Sequence, residues 1–219
     1  MIAKTIFGLE EVLAEELTAL GALNVNVLKR AVSFYGDKGF MYKANLCCRT
    51  ALRILKPINT FSVKDNEDLY KQIYDIKWED FLEKTGTLAV DAVGTNDFIN
   101  HTQYLSQRVK DAIVDSYRDK YGIRPSVDLD NPSLRINIHL FNDQVTVSLD
   151  SSGSSLHKRG YRKVTNLAPL NEVLAAGMIL LSGWNRNSVF IDPMCGSGTL
   201  PIEASLYAFN IPAGYYRKD

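Results

Sequence analysis

Near the C-terminal end of the sequence, Asp192-Pro193-Met194-Cys195-Gly196-Ser197-Gly198-Thr199 gathers a carboxylate, a thiol, two hydroxyls and two glycines in one short stretch. The preceding Ser188-Val189-Phe190-Ile191 reads as a buried parallel strand, and Leu200 to Phe209 reads as a helix. An α/β sheet builds a nucleotide site in this way, because glycines at Gly196 and Gly198 permit a tight turn and let backbone approach a ligand closely. Asp192 falls at the carboxyl end of the strand, where a carboxylate suits a cationic or hydroxyl-bearing ligand better than a pyrophosphate. Pro201 stands where a dinucleotide fingerprint wants glycine, and no Gly-Lys-Ser/Thr follows the turn, so NAD and ATP are disfavoured. Cys195 reads as a packed turn residue rather than a covalent nucleophile.

A second chemical cluster is basic. His157-Lys158-Arg159-Gly160-Tyr161-Arg162-Lys163 is the densest run of cations in the chain. By itself such a run describes a solvated linker, but Tyr161 among Lys158, Arg159, Arg162 and Lys163 favours RNA, since cations neutralise phosphate and an aromatic can stack on an unpaired base. Arg108, Lys110, Arg124 and Arg135 are weaker candidates that also read as ordinary surface charges. His139 has no Cys or His partner at ligand spacing, so no metal is expected. With 25 Lys+Arg against 25 Asp+Glu the net charge is zero, and any nucleic-acid binding must come from local patches. Cys47 and Cys48 are adjacent, which suits neither an ordinary disulfide nor a zinc knuckle, and with Cys195 they read as reduced thiols. No apolar run approaches a membrane span and Met1-Ile2-Ala3-Lys4 opens no signal peptide, so a cytoplasmic protein is expected.

The elements that must position these clusters are legible in the apolar pattern. Ile2 to Phe7 reads as a strand, followed by a helix with the stripe Leu9, Val12, Leu13, Leu17, Leu20 ending at Gly21. Val25 to Leu28 and Val32 to Tyr35 read as short strands, and Phe40 to Thr50 as a helix leading into Leu52 to Ile58. This alternation predicts a small α+β unit with antiparallel strands. A second unit starts near Phe61, with a helix around Asp68 to Ile76, a strand at Leu88 to Val93 and a long helix between His101 and Gly122. Leu134, Ile136, Ile138 and Leu140 alternate with polar residues, then Asn142-Asp143 turns into Val145, Val147 and Leu149, predicting a hairpin with one buried and one polar face. Ser151-Ser152-Gly153-Ser154-Ser155 has linker composition. Beyond it, Asn171 to Leu181 reads as an apolar helix.

With these residues in place the chain resembles a known family. Asp192 to Thr199 with Glu203-Ala204 is similar to the first S-adenosylmethionine motif of the THUMP-containing RNA methyltransferases. Gly8-Leu9-Glu10-Glu11, Val109 to Asp115, Asp150-Ser151-Ser152-Gly153, Leu156 to Arg162 and Ala168-Pro169-Leu170 resemble the same family in the same order. The resemblance covers essentially the whole chain and is specific to the branch similar to bacterial enzymes that methylate the exocyclic amine of a guanine in large-subunit ribosomal RNA. It implies an α+β N-terminal region, made of a ferredoxin-like domain (1–60) and a THUMP RNA-binding domain (61–155), then a basic linker (156–168) and the start of an α/β Rossmann-like methyltransferase domain (169–219). It implies S-adenosylmethionine as cofactor, with Asp192, Gly196 and Gly198 at its methionine and ribose end and Pro193, Met194, Cys195 and Thr199 shaping the loop. Pro169 and Glu172, in a segment resembling the pre-strand cofactor motif, are secondary candidates.

One expected part is absent. Methylating a base amine requires the base to be flipped out, its amine held by acceptors and its ring clamped, which the family does with Asn/Asp-Pro-Pro-aromatic. Asn131-Pro132-Ser133-Leu134 is the nearest match and reads as a turn before a strand. A single parallel strand with two helices also cannot satisfy its own ladder. The expectation is therefore a chain that binds RNA, bears part of the cofactor site and does not transfer methyl groups by itself, the remainder lying in the same or another polypeptide. The alternatives are an adenine-N6 nucleic-acid methylase and a non-catalytic RNA-binding adaptor.

Overall fold

The computed structural model describes residues 1–162 and 169–218. The chain divides into two units, the first made of Met1–Leu55 and Ser154–Asp219, the second of Lys56–Gly153.

The first unit opens with β1 (Ile2–Lys4), α1 (Glu10–Leu20), β2 (Leu23–Leu28), β3 (Ala31–Tyr35) and α2 (Lys38–Cys47), then enters β4 (Arg53–Ser62), which ends in the second unit. Strand order β2-β3-β1-β4 with every pairing antiparallel makes this βαββαβ segment ferredoxin-like. α1 stops at Gly21, whose φ of 104° is left-handed and whose N–H closes the last turn. α2 starts at Asp37, whose carboxylate accepts the Phe40 N–H. Ala3, Val32, Phe34 and Ile54 on one sheet face meet Leu13, Leu17, Met41 and Ala44 from the helices. Leu156 completes this core, its N–H donating to the Leu52 carbonyl at 2.9 Å.

The second half of this unit adds α5 (Glu172–Leu181) and α6 (Thr199–Ala208). Asn171 caps α5 by accepting from the N–H groups of Val173 and Leu174. Val173 and Leu180 pack with Leu9 and Val12, so α5 rests on the ferredoxin-like segment. Gly177 allows the approach, since a Cβ there would lie 2.5 Å from Leu9 Cδ1.

The second unit contains α3 (Asn66–Tyr74), β5 (Thr87–Val93), α4 (Thr102–Tyr121), β6 (Ser126–Val127), β7 (Leu134–Phe141) and β8 (Gln144–Asp150). Its strands run in the order β4-β8-β7-β5-β6. β7 and β8 form the expected antiparallel hairpin in register Ile136↔Leu149, Ile138↔Val147 and Leu140↔Val145, turning at Asn142 with a φ of 53°. β5 pairs in parallel with β7 and β6. The inward residues of the hairpin join Leu88, Leu105, Val109, Ile113, Tyr117 and Trp78 in one core.

Two expectations are corrected. Ser188 to Ile191 is not a strand, and Val189 and Ile191 are 84% and 78% exposed. Extended backbone becomes a strand only beside a partner, and none lies there among the described residues. The serine run is not loose either: Ser152 is buried, with its N–H on Asp150 Oδ1, and the Arg217 guanidinium donates to the carbonyls of Ser154 and Ser155.

Candidate functional site

The glycine turn survives without its strand. Asp192 is half-buried and accepts the Met194 N–H at 3.1 Å, Gly198 N–H donates to the Cys195 carbonyl at 2.8 Å, and Gly198 forms the N-cap of α6. Gly196 and Gly198 have φ of 55° and 77°, which a side chain would strain, while a Cβ at either would meet no atom closer than 3.7 Å. The glycines are thus set by backbone conformation, and the space above them is open. Pro193, Met194, Cys195 and Ser197 are exposed, Met194 at 89%. Cys195 is accordingly not a packed residue, because nothing among the described residues covers the loop.

Behind the turn the chemistry becomes dense. Arg162 Nε donates to Glu172 Oε1 at 2.5 Å, and its Nη2 donates to Thr199 Oγ1 at 2.7 Å and to the Leu170 carbonyl at 3.0 Å. Thr199 and Glu172 are buried first residues of α6 and α5, so one guanidinium joins the starts of the two helices. Pro169 is exposed; with Glu172, His157, Lys158 and Arg162 it lines a cavity of about 430 Å³.

Arg159, expected to face RNA, is only 2% exposed. It donates to the Leu156 and Arg49 carbonyls, and its Nε lies 3.5 Å from Glu203 Oε1, an ion pair without a hydrogen bond. Tyr161 OH donates to Glu203 Oε1 at 3.0 Å, and burial followed by the charges of Glu203 and Glu172 holds its phenol well above the usual tyrosine range. Burial likewise raises the Glu203 carboxyl. The charge pattern of the segment signals RNA, whereas its alternate cations turn inward onto carboxylates of the helices; Lys158 remains exposed, and Lys163 lies outside the described residues.

A neighbouring network was not foreseen. Glu16 accepts the N–H groups of Arg49 and Thr50 and the Thr50 hydroxyl, and desolvation raises its carboxyl. Arg49 Nη2 donates to the carbonyls of Leu206 and Ile211 beyond the turn. One signal was available: Glu203 sits at the buried position i+4 from Thr199 in a largely apolar helix, where a carboxylate requires a partner.

The remaining cations belong to the second unit. Arg108 pairs with Glu67 at 2.5 Å and lies over the Tyr70 ring at 4.3 Å; Lys110 pairs with Asp111 at 2.6 Å. Arg135 is held by Asp91 Oδ2 and the Leu129 carbonyl, and Arg124 is exposed. His139 is half-buried on the polar side of β7, and no group of three or more potential metal ligands occurs among the described residues. Cys47, Cys48 and Cys195 form no disulfide, and no described helix is long and apolar enough to cross a membrane.

A ferredoxin-like segment, a mixed sheet with two helices and a glycine turn leading into a helix follow one another along the chain. Family models match in that order: an RlmL ferredoxin-like domain over residues 1–55, a THUMP domain over 63–150 and an RMKL-like methyltransferase domain over 159–219. The chain thus carries ferredoxin-like and THUMP domains and a segment matching an RMKL-like methyltransferase domain. It is 46% identical over 214 residues to the Ribosomal RNA large subunit methyltransferase K/L of Syntrophotalea carbinolica, covering 96% of this chain and 30% of that protein. The protein of the same name from Buchnera aphidicola is 42% identical, over all of this chain and 31% of its own length. The chain therefore spans about 30% of the length of these curated relatives. Among solved structures, one described as a predicted N6-adenine-specific DNA methylase from Listeria monocytogenes superposes with a TM-score of 0.85 at 31% identity, over 99% of this chain and 57% of that one. SMU.472, crystallised with SAH, gives 0.81 at 31% identity over the same shares.

Proposed function

We propose that this chain is the RNA-capturing and cofactor-loop-bearing part of an S-adenosylmethionine-dependent methyltransferase that modifies a guanine exocyclic amine in large-subunit ribosomal RNA. The observation that carries the reading is the 46% identity along nearly the whole chain to a protein named for ribosomal RNA methylation. The Asp192 to Thr199 turn fits the methionine and ribose end of the cofactor chemically, offering a carboxylate and glycine backbone with open space above. Bound S-adenosylmethionine supplies an electrophilic methyl group on its sulfonium. In this reading Asp192 accepts hydrogen bonds from the cofactor, Gly196 and Gly198 leave room for it, and Pro193, Met194, Cys195 and Thr199 shape the loop. Glu172 and Pro169 flank it from α5.

RNA is captured by the second unit, through Arg108, Lys110 and Arg135, and by Lys158 and Lys163 of the basic segment. Arg159, Tyr161 and Arg162 face inward onto carbonyls and helix carboxylates and are not among the capturing groups. Further polypeptide, in the same or another chain, supplies the strands beside Ser188 to Ile191 and the residues that clamp the base. The exposure of Val189 and Ile191 supports this.

The test is a pair of measurements on the purified chain. Filter binding is expected to show salt-dependent affinity for large-subunit ribosomal RNA above that for duplex DNA of equal length, and a labelled-methyl assay is expected to show no transfer. Stronger binding to DNA would favour the adenine-methylase reading suggested by the Listeria relative's description, and methyl transfer by the chain alone would refute the division of labour.

A further inference from the structure

We propose that Arg162 is a positioning residue for the cofactor loop, a clamp whose guanidinium fixes the start of α6 to the start of α5. The proposal rests on the reading of the Asp192 to Thr199 turn as a cofactor loop. The turn has little else to hold it: Pro193 to Ser197 are exposed, and its own hydrogen bonds span no more than three residues, among them Met194 N–H to Asp192, Gly198 N–H to Cys195 and the Ser197–Thr199 hydroxyl pair at 3.3 Å. Its downstream anchor is Thr199, which is buried and whose Oγ1 accepts from Arg162 at 2.7 Å. The same guanidinium donates to Glu172 Oε1 at 2.5 Å and to the Leu170 carbonyl at 3.0 Å. A planar fork with several fixed donors can reach three acceptors at once, and a charge-assisted contact to the buried Glu172 carboxylate fixes its direction. Asn171 caps α5 on the N–H groups of Val173 and Leu174, so the Glu172 end of the clamp is itself anchored. Arg162 thereby converts the rigidity of α5 into order at the loop, which lowers the ordering cost a ligand must meet on binding.

The test compares wild type, Arg162→Ala, Arg162→Lys and Thr199→Val in the full chain. The readouts are S-adenosylhomocysteine affinity by calorimetry, RNA affinity by filter binding, and hydrogen exchange of the 194–202 amides. Arg162→Ala is expected to weaken S-adenosylhomocysteine binding by about tenfold or more and to speed exchange at the loop, with RNA affinity within about twofold of wild type. Arg162→Lys keeps the charge but cannot span three acceptors, so it falls between the two. Thr199→Val removes one contact and weakens binding even if Arg162→Ala does not fold. Unchanged cofactor affinity with reduced RNA affinity would overturn the clamp and return Arg162 to the RNA surface. If wild type itself binds no S-adenosylhomocysteine, the cofactor-loop reading fails separately, and the exchange data still decide the clamp: equal loop protection in wild type and variants refutes it.

Discussion

Arg159 shows how a charge can mislead when only its neighbours in sequence are visible. Its side chain is 1% exposed and faces a fully buried Glu203, together with the Leu156 and Arg49 carbonyls. Removing one partner of such a pair leaves the other charge buried, so Arg159→Ala is expected to cost about 3 kcal/mol of stability while scarcely changing RNA affinity per folded molecule; urea denaturation beside filter binding checks both. Glu16 and Glu203 carry a pH signature. Burial raises both carboxyls above the ordinary 4.5, so the folded chain holds these protons more tightly than the unfolded one. Their contribution is full below the unfolded value and is lost as pH rises through the raised folded value. Glu16→Gln is therefore expected to flatten the fall in stability between pH 4.5 and neutrality relative to wild type, as followed by melting temperature against pH. The opposite slope difference would refute the assignment.

At the scale of elements, Gly94 offers the sharpest test. Its φ is 102°, and a Cβ there would fall 1.8 Å from the Leu140 carbonyl oxygen at the end of β7. Gly94→Ala must displace backbone as well as strain it, so a loss of about 2 kcal/mol or more is expected, read as a lower midpoint in denaturant with RNA affinity falling alongside. What was legible beforehand follows from how local each determinant is. The β7–β8 hairpin was readable because alternation has period two and Asn142 supplies a left-handed turn. The spans of α1, α4 and α5 follow from apolar stripes and from caps such as Gly21 and Asn171, and that of α6 from the glycine turn before it. Ser188 to Ile191 reads as a strand and is none, because an apolar run reports that burial is wanted, not that a neighbouring strand is present. Gly196 and Gly198 were identified from residue type alone, since positive φ is a local property. The Arg162 clamp was invisible, because it joins Glu172 and Thr199 through geometry that no spacing records.

For the whole molecule, the division into Met1–Leu55 with Ser154–Asp219 and Lys56–Gly153 means that the THUMP unit is inserted within the sequence of the other. Each unit has its own apolar core, so thermal unfolding is expected to show two transitions, with Gly94→Ala shifting one and Arg159→Ala the other. A single transition displaced equally by both variants would refute this independence. The insertion also dictates an order of assembly. The contact from Arg159 to the Arg49 carbonyl closes 110 residues of sequence, and Leu156 fills its seat in the first core only after the entire inserted unit has been synthesised. A long unfolded loop makes such closure slow, whereas an insert that has already folded brings the two ends of the gap within easier reach of one another. The inserted unit is thus expected to speed closure of the other unit's core, and Gly94→Ala to slow the refolding of that core.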